Sequence, residues 1–544
     1  MVLEAGGERD LRRSDANRVC CRVLIGVAVL AVVVRLVPTL MHGGWLGLGR
    51  YDDGVYLGIS MSLLHGQLPY RDLVMLHPPG VVLALAPFAA IAGPFGDPVA
   101  LVVGKVVVML AGGVAAALVT WLIRDRGSAA MWAAGATYAV FVPAVYADSS
   151  LTLEALPNLL LAGALALSVG VHRPQARQLW AAGALLGVAT ATKIWGVVPL
   201  LVIVAFLWHR DGRAVGGRIL LGAVGTVTAV CLPFFAAAPA AMWRMVVLDQ
   251  LGRPDGNRGL AIRLPELFGL PRYEGHGGPY TQALTWAVFV IVAAVLVAVV
   301  MRTVRARLAL PVALLLACTA VLVVSPSHFL QYGALLAVPL AWCIGAAVGR
   351  GWSRRVLVGA LAVSATMSLT LGTGRTVAPR FTAAVQAVDG CLTTDDPTVL
   401  IATDTLSRNL ELGCTTWIDV TGTTYDLPGV RPSRGFYQER RTNGSWHDAV
   451  NPYLETGDGM ILGRPSTGIH PDVLTYWANA TNTTSSSRYT LYDRTCADQP
   501  TYRTRAWLTW AMSTTEGVDA ALAKVTSPCP WGATDPGTTS AHRL

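Results

Sequence analysis

Long apolar segments fill most of residues 21–375, and they constrain the fold more than any other feature of this sequence. A helix that crosses the ~30 Å hydrocarbon layer of a bilayer needs about 20 predominantly apolar residues. About eleven segments approach that length, near residues 21–40, 99–123, 129–147, 151–170, 178–192, 194–208, 217–238, 283–301, 308–325, 331–349 and 356–374. The sequence therefore predicts an all-α polytopic membrane domain over residues 21–375, with interfacial helices besides the spans.

The composition agrees with a membrane protein and excludes an ordinary soluble one. Hydrophobic residues make up 53% of the chain and charged residues 14%, whereas soluble domains average roughly 25% charged residues. The formal net charge of +9 does not indicate nucleic-acid binding, because Lys and Arg form short clusters between apolar runs without interleaved aromatic residues. We expect membrane lipid around the chain and no nucleic-acid partner.

The basic clusters indicate how the chain is oriented in the cell membrane. Residues 1–20 are expected to be a cytoplasmic tail, because the apolar run after them lacks the short core and cleavage site of a signal peptide. Four arginines stand at the start of this run: Arg12, Arg13, Arg18 and Arg22. Later basic clusters fall on the same side when eleven spans are counted, at residues 124–126, 173–177, 210–218, 302–307 and 350–355. An odd number of spans places the C-terminal segment on the extracytoplasmic side.

Residues 41–98 form the predicted first outer loop. Within this loop, residues 80–95 are apolar, but Pro87 and Pro94 interrupt them and they are too short for a full span. We therefore expect an interfacial or re-entrant segment. Counting it as a span would place most basic clusters on the outer side, against the usual distribution of positive charge.

The character of the sequence changes near residue 376, where polar residues become frequent and apolar runs become short. Residues 376–544 are therefore predicted to form a small extracytoplasmic domain of the α/β class. The expected elements are strands at 398–402, 416–420 and 459–462, helices at 406–412 and 472–479, and a solvated loop at 479–485.

Four of the nine cysteines lie in this C-terminal segment: Cys391, Cys414, Cys496 and Cys529. An even number in an oxidising compartment favours disulfides, and proximity favours pairing Cys391 with Cys414, although three connectivities are open. No CxxC or His/Cys spacing typical of a zinc site is present. We expect neither a metal ion nor a cofactor.

An adjacent acid pair, Asp52 and Asp53, stands in the first outer loop, where charge at a membrane face needs a partner or a function. Tyr56, Ile59 and Leu63 follow at helical spacing and predict a short interfacial helix next to the pair. A carboxylate at this place can remove a proton from a hydroxyl group as a general base. The structural alternative is a helix N-cap with an acidic first turn.

The loop resembles the first outer loop of GT-C membrane glycosyltransferases. The acid pair is followed by an aromatic residue, by Pro69-Tyr70-Arg71-Asp72 and by His77-Pro78-Pro79, all after the first membrane helix. This order is similar to that in the branch of protein O-mannosyltransferases and the lipid A aminoarabinose transferase, where a polyprenyl phosphate carries the sugar. The resemblance implies that Asp52 takes the place of the catalytic Asp, whereas Asp53 stands where relatives usually have Glu.

The chemistry of the outer membrane face agrees with this resemblance. Nucleotide sugars are not available outside the cytoplasm, so a transfer there needs a donor delivered in the bilayer. Phosphate is a good leaving group, so one base with electrostatic stabilisation suffices and a single inverting displacement is expected. The Ala, Val, Gly and Arg richness is similar to that of actinobacterial envelope enzymes, which implies arabinose or mannose as the sugar. Expected acceptors are a cell-envelope glycan, a glycolipid or a protein.

Six outer residues are candidates for binding the donor phosphate: Arg71, Lys193, Arg253, Arg258, His328 and Tyr332. An arginine fork matches phosphate oxygens, and similar enzymes place donor-contacting residues near the positions of Lys193, His328 and Tyr332. Lys193 can equally snorkel to the interface. Arg253 and Arg258 can be ordinary loop charges.

Three further residues are candidates for positioning the acceptor or the loop: Tyr56, Asp72 and His77. His77 can instead cap the turn set by the two prolines after it. Arg35, inside the first span near its outer end, can pair with an acid of the loop, but snorkelling to the interface is the favoured interpretation. Asp148 and Glu154 flank the outer turn between the third and fourth spans and are weaker candidates.

The main rival to a glycosyltransferase is a transporter or flippase for a lipid-linked or small polar substrate. Two features argue against it: the hydropathy shows no internal repeat, and the acids cluster at one membrane face instead of the midplane. A non-catalytic assembly protein whose outer domain binds polysaccharide is a third possibility.

Overall fold

The computed structural model describes residues 2–253, 259–270, 279–348, 354–372, 374–426, 444–463 and 482–494. These residues form a large helical part and a small C-terminal part with one mixed sheet, which confirms the predicted fold class. The helices of the large part are α1 (Val2–Met41), α2 (Tyr51–Leu64), α3 (Gly80–Ala89), α4 (Ala92–Phe95), α5 (Asp97–Leu122), α6 (Ser128–Val140), α7 (Val142–Asp148), α8 (Ala155–Ser168), α9 (Ala176–Thr192), α10 (Val197–Asp211), α11 (Arg213–Ala237), α12 (Pro239–Trp243), α13 (Asp249–Leu251), α14 (Leu260–Leu267), α15 (Pro279–Arg305), α16 (Ala309–Val324), α17 (Ala337–Ala347) and α18 (Arg354–Leu369). A π-helical stretch (Arg244–Leu248) precedes α13, and a 3-10 stretch (Leu330–Leu336) precedes α17.

Each predicted span contains helix, but not every helix is long enough to cross a bilayer alone. Within the described residues, six helices are long and apolar enough, or seven if the bent pair α6 and α7 is one span. The chain is therefore a multi-pass membrane protein, while the count of about eleven spans is not confirmed.

The predicted span at residues 129–147 is two helices instead of one. The chain breaks at Phe141, and the axes of α6 and α7 differ by 58°. Pro143 lies in the first turn of α7, where it removes a backbone donor that a continuous helix would need. The break brings Asp148 to Arg35 of α1, with Arg35 Nη2 2.6 Å from Asp148 Oδ2 and both side chains fully buried. The snorkelling interpretation of Arg35 is therefore wrong, because a carboxylate compensates its charge inside the protein.

The first loop contains three helices, α2, α3 and α4. α2 starts at Tyr51, immediately before the acid pair, and confirms the predicted short helix. α3 and α4 cover most of residues 80–95, with Pro87 inside α3. How this segment sits relative to the bilayer stays a prediction.

The C-terminal part contains five helices and four strands within the described residues. They are α19 (Pro379–Ala387), β1 (Leu392–Thr394), α20 (Pro397–Ala402), α21 (Leu406–Glu411), α22 (Val420–Asp426), α23 (Gly444–Glu455), β2 (Gly459–Leu462), β3 (Asn482–Ser486) and β4 (Tyr489–Asp493). The sheet order is β1-β2-β4-β3. β1 pairs parallel with β2, and the other two pairs are antiparallel.

One predicted strand, residues 398–402, is wrong because these residues belong to helix α20. Asp396 caps this helix by accepting a hydrogen bond from Thr398 N at 3.1 Å, and Pro397 occupies the first turn. All of α20 is buried, so its apolar run lacks the alternation that separates a strand from a helix. Residues 416–420 are likewise not a strand, since they lead through a turn into α22.

Other C-terminal predictions have mixed outcomes. The strand at 459–462 and the helix at 406–412 are confirmed as β2 and α21. The expected solvated loop at 479–485 is wrong for its last residues, which form β3 at the sheet edge. The predicted helix at 472–479 lies outside the described residues.

Cys391 and Cys414 form a disulfide with their Cα atoms 5.6 Å apart, which confirms the favoured pairing. The bond joins the residue before β1 to the segment after α21. It therefore ties the first strand to the helical layer beside it. Cys496 and Cys529 lie outside the described residues.

The C-terminal part packs directly on the first loop, and the two share one hydrophobic core. Gly54 in α2 permits this contact, because a Cβ atom there would lie 2.3 Å from the backbone nitrogen of Thr398. A second contact joins α5 to the turn before α21: Asp404 Oδ1 accepts from Asp97 N at 2.7 Å, and Asp97 Oδ2 accepts from Ser407 N at 3.0 Å. The first-loop region and the C-terminal part are thus one packed unit.

Asp396 stabilises this packing by accepting hydrogen bonds from several segments. Besides capping α20, its fully buried carboxylate accepts hydrogen bonds from Tyr489 OH at 2.7 Å and from Arg488 Nη2 at 2.9 Å. Arg488 Nη2 also donates to the carbonyl of Leu48 in the first loop. One carboxylate therefore links α20, the hairpin of β3 and β4, and the loop that leads to the acid pair.

We expect Asp396→Ala to lower the free energy of unfolding by about 2 to 4 kcal/mol, because it removes a helix cap and charged hydrogen bonds. Thermal unfolding of the purified protein in detergent, together with limited proteolysis of the C-terminal part, measures this loss. Asp448→Ala, at an exposed position of α23, is the control and should change stability by less than about 0.5 kcal/mol. Equal stability of the two variants would contradict the role of Asp396.

Candidate active site

Asp52 lies in the first turn of α2, where the helix N-terminus favours a negative charge. Its side chain is half-buried, so it can reach both the protein interior and a bound ligand. Gln331 Nε2 donates to Asp52 Oδ2 at 3.3 Å. The base candidate is therefore held next to the 3-10 stretch that carries Tyr332.

Asp53 is arranged quite differently, although it is the next residue. Its side chain is fully buried, and Asp53 Oδ2 lies 2.7 Å from Lys105 Nζ of α5, which is also fully buried. Asp53 Oδ1 accepts from Leu151 N at 2.7 Å. Lys105 Nζ also donates to the carbonyl of Trp45 at 3.1 Å. Asp53 thus joins the start of α2 to α5 and to the turn before α8.

Lys105 was not among the residues predicted for the site. The available signal was a single Lys inside the apolar segment 99–123, where an unpaired charge is costly. Its partner could not be found from spacing, because 52 residues and several turns separate Lys105 from Asp53. A buried ion pair of this kind forms only when the tertiary fold brings its two partners together.

Burial and neighbouring carboxylates raise the affinity of the Asp52 carboxylate for a proton. Burial is the largest cause, and the pKa of the Asp52 carboxyl is raised to about 7. Three neighbouring carboxylates add to the shift, in the order Glu154, Asp419 and Asp53. Lys193 acts in the opposite direction. A carboxyl group with a pKa near neutrality is well matched to accept a proton during a reaction.

Lys193 follows α9 and does not snorkel, since its side chain is only 7% exposed and forms an ion pair with Glu154 Oε1. Its Nζ also lies 4.0 Å from the ring centroid of Tyr332 and 4.4 Å from that of Trp195. Cations are attracted to aromatic faces in this geometry. Glu154, a weak candidate in the sequence, is therefore a direct partner of Lys193.

Arg253 is a second cation that contacts Tyr332. Arg253 Nη1 donates to Tyr332 OH at 3.3 Å, so Tyr332 lies between Arg253 and Lys193. Arg258 lies outside the described residues. His328 is turned away to a different partner, with its Nε2 3.0 Å from Glu266 Oε2 of α14.

Two other predicted residues pair with each other at the surface. Arg71 Nη2 lies 2.7 Å from Asp72 Oδ2, with the side chains 51% and 34% exposed. Asp72 also accepts from Leu68 N at 2.7 Å. These contacts shape the turn after α2 and do not reach the Asp52 carboxylate.

His77 packs its ring against Tyr56 of α2, with the ring centroids 6.2 Å apart. Tyr70 OH donates to the carbonyl of His77 at 2.7 Å. Burial, followed by the charges of Arg253 and Lys193, lowers the pKa of the His77 imidazole well below its usual value. The ring is therefore neutral at physiological pH, and its buried Nδ1 has no hydrogen-bond partner.

Gly80 brings the His-Pro-Pro segment against the end of α9. A Cβ on Gly80 would lie 2.6 Å from the carbonyl oxygen of Ala191, so a larger residue would push α3 away. Lys193 follows two residues later in the chain. The close approach explains how a first-loop motif meets a residue more than a hundred positions away.

The C-terminal part closes the outer edge of the site. Tyr51 OH, next to Asp52, donates to Asp419 Oδ1 at 3.0 Å and accepts from Thr421 N at 3.0 Å. Arg244 Nε pairs with Asp426 Oδ1 at 2.6 Å and holds the far end of α22. Asp419, absent from the predicted site, is thus a carboxylate that only the docked C-terminal part supplies.

A small cleft lies beside these residues and is lined by Glu154, Pro157, Asn158, Lys193, Trp195, Gly196, Tyr332 and Leu335. Most of the lining is apolar, with charge concentrated at Lys193 and Glu154. Within the described residues, no group of three or more His, Cys, Asp or Glu side chains is arranged to hold a metal ion.

Comparisons with known proteins show which family and which solved structures this chain resembles. The model of glycosyltransferase family 87 matches residues 76–326, slightly less than half of the chain and beginning after the acid pair. A search of curated proteins finds no match.

Among solved structures, ArnT from Cupriavidus metallidurans bound to undecaprenyl phosphate is similar, with a TM-score of 0.53 and 15% identity over 86% of this chain and 96% of ArnT. The apo state of ArnT gives a TM-score of 0.50 at 16% identity, over 86% of this chain and 96% of that one. The oligosaccharyltransferase AglB from Archaeoglobus fulgidus, in complex with an inhibitory peptide and a dolichol-phosphate, shows a weaker likeness, with a TM-score of 0.47 and 12% identity over 82% and 69% of the two chains.

These similarities define the class of protein. The chain has the GT-C glycosyltransferase fold, as the first-loop motifs suggested, and the ArnT match extends over nearly its whole length. Together with the family match, the fold supports a membrane glycosyltransferase. Sequence identity of 15 to 16% shows a shared fold. The roles of individual residues are argued from the distances and contacts in this structure.

We expect Lys105→Met to lower the free energy of unfolding by about 3 to 5 kcal/mol, because it leaves the Asp53 carboxylate buried without its cation. Thermal unfolding in detergent measures the effect. The double variant Asp53→Asn with Lys105→Met should recover part of the loss, since it removes both charges. Additive losses in the double variant would contradict a direct pairing.

Proposed function

We propose that this protein moves a sugar from a polyprenyl-phosphate donor to a hydroxyl group of an acceptor on the extracytoplasmic side of the cell membrane. The observation that carries the proposal is the half-buried Asp52 near a mostly apolar cleft that has Lys193 among its lining residues. A base and an anion site stand together there, and this is what transfer from a lipid phosphate requires. ArnT, whose structure holds undecaprenyl phosphate, supports the donor class.

Asp52 is the proposed general base. The acceptor hydroxyl attacks the anomeric carbon, its proton passes to the Asp52 carboxylate, and the bond between the anomeric carbon and the phosphate oxygen breaks. A single displacement of this kind inverts the anomeric configuration. Asp53 is unsuited to accept this proton, because its carboxylate is fully buried and engaged by Lys105. We assign Asp53 the role of fixing the backbone that presents Asp52.

Lys193, Arg253 and Tyr332 are the proposed contacts of the donor phosphate. Both cations lie on Tyr332, at 4.0 Å from the ring and 3.3 Å from the hydroxyl group respectively. Two positive charges and a hydroxyl donor can stabilise the negative charge that develops on the departing phosphate. His328 is bound to Glu266, and Arg71 is exposed and paired with Asp72, so we leave His328 and Arg71 out of the donor site.

The fold leaves the sugar and the acceptor open, and the composition of the chain is the basis for proposing them. We propose arabinose or mannose as the sugar, and a cell-envelope glycan, glycolipid or protein as the acceptor. The acceptor side is placed between Asp52 and Asp419, because the docked C-terminal part forms that edge. His77 and Tyr56 pack against each other and are proposed to orient the loop.

Asp52→Asn should reduce kcat by about 10² to 10⁴-fold, because the amide cannot accept the proton. The assay follows labelled sugar from polyprenyl-phosphate arabinose and mannose into membrane acceptors. Donor binding and Tm should stay close to those of the wild type. Asp125→Asn is the matched control, because it makes the same substitution at an exposed position between α5 and α6, and it should remain active.

Full sugar transfer by Asp52→Asn would exclude Asp52 as the base. A wild-type protein that moves the intact lipid-linked donor across the bilayer, without transferring its sugar, would instead indicate the transporter function.

The pH dependence offers a separate test of the base. Because Asp52 has a pKa near 7 and must be ionised to act, kcat/KM should rise with pH through about 7. Asp419→Asn removes one carboxylate that raises this pKa, so the acidic limb of the profile should move to lower pH. The Asn side chain keeps an oxygen that can accept from Tyr51. An unshifted limb would show that Asp52 is not the titrating group.

A further inference from the structure

Asn158 has no place in the proposed chemistry so far, although it lines the cleft. It lies one helical turn after Glu154 on α8, on the same face of the helix. The side chain is 1% exposed, and its Nδ2 has no hydrogen-bond partner. A buried amide without a partner is unfavourable and calls for a specific reason.

The neighbours of Asn158 restrict what that reason can be. The other lining residues nearby are Pro157, Trp195, Gly196 and Leu335, which offer apolar surface. Lys193, the only cation among the lining residues, is already paired with Glu154. The Asn158 amide is a neutral N–H donor next to Lys193, and its hydrogen bond to an anionic oxygen would be stronger than one to a neutral oxygen.

We propose that Asn158 is a further donor-binding residue, whose amide Nδ2 donates a hydrogen bond to a phosphate oxygen of the polyprenyl-phosphate donor. The inference rests on the proposed function and names one contact within it. In the bound state, Asn158 and Lys193, which both line the cleft, would contact the phosphate group. Asn158 is a binding residue in this scheme and takes no part in proton transfer.

The test uses the purified full-length protein and undecaprenyl phosphate without sugar as the probe. Asn158→Leu keeps the volume of the side chain and removes the donor, so Kd should rise about tenfold or more. Tm should not fall, because the variant removes an unsatisfied polar group. Ser168→Ala, a buried polar position on the same helix but away from the cleft, is the control and should leave Kd unchanged.

Asn158→Asp provides a second, independent variant. Its carboxylate would repel the phosphate and compete for Lys193, so Kd should rise more than in Asn158→Leu. In transfer assays, Asn158→Leu should raise KM for the donor with little change in kcat at saturation, as expected for a contact already present in the bound donor. Inorganic phosphate alone should bind far more weakly than undecaprenyl phosphate.

Several results would overturn the inference. An unchanged Kd for undecaprenyl phosphate in Asn158→Leu, with weaker binding in Lys193→Met, would remove Asn158 from the site and leave the proposed function intact. A defect confined to the sugar-bearing donor would assign Asn158 to the sugar instead of the phosphate. Equal affinity for inorganic phosphate would argue against a lipid ligand. If the wild type binds no undecaprenyl phosphate, both the inference and the proposed donor class fall.

Discussion

The buried ion pair between Asp53 and Lys105 is the constraint on which the arrangement of the site depends. Its atoms are 2.7 Å apart with no exposed side-chain surface, so neither charge is stable without the other. The pair fixes the start of α2 against α5, and the second oxygen of Asp53 holds the backbone before α8. Asp52, one residue earlier, therefore lies next to a buried ion pair that fixes the backbone of the first turn. The different roles that we propose for Asp52 and Asp53 follow from their different burial.

The C-terminal part is a structural component of this site. Its core is continuous with that of the first loop, and the contact between Gly54 and α20 leaves no room for a side chain. Asp419 reaches the first turn of α2 through Tyr51 and raises the pKa of Asp52. A domain whose sequence looks like a separate module thus influences the proton affinity of the proposed base, because docking brings its carboxylate near that of Asp52.

Local patterns predicted much of the fold. Apolar length identified the helical segments, helical spacing identified α2, and a short separation identified the Cys391–Cys414 disulfide. The failures share a physical cause. α20 is buried on every side, so its apolar residues carry no periodicity, and Arg35 has its partner 113 positions away, where no local rule can find it. The break at Phe141 could have been expected from Pro143, although proline inside an apolar run does not always end a helix.

The sequence by itself determined that the chain crosses a membrane several times and that an acid pair with a His-Pro-Pro segment stands in the loop after the first membrane helix. These properties depend on apolar length and on neighbours along the chain. Only the tertiary structure decided which acid is buried, that Lys193 pairs with Glu154 between two aromatic rings, and that Asn158 faces the cleft without a partner. Desolvation and ion pairing depend on distances between remote segments, and those distances exist only once the helices and the C-terminal part have packed.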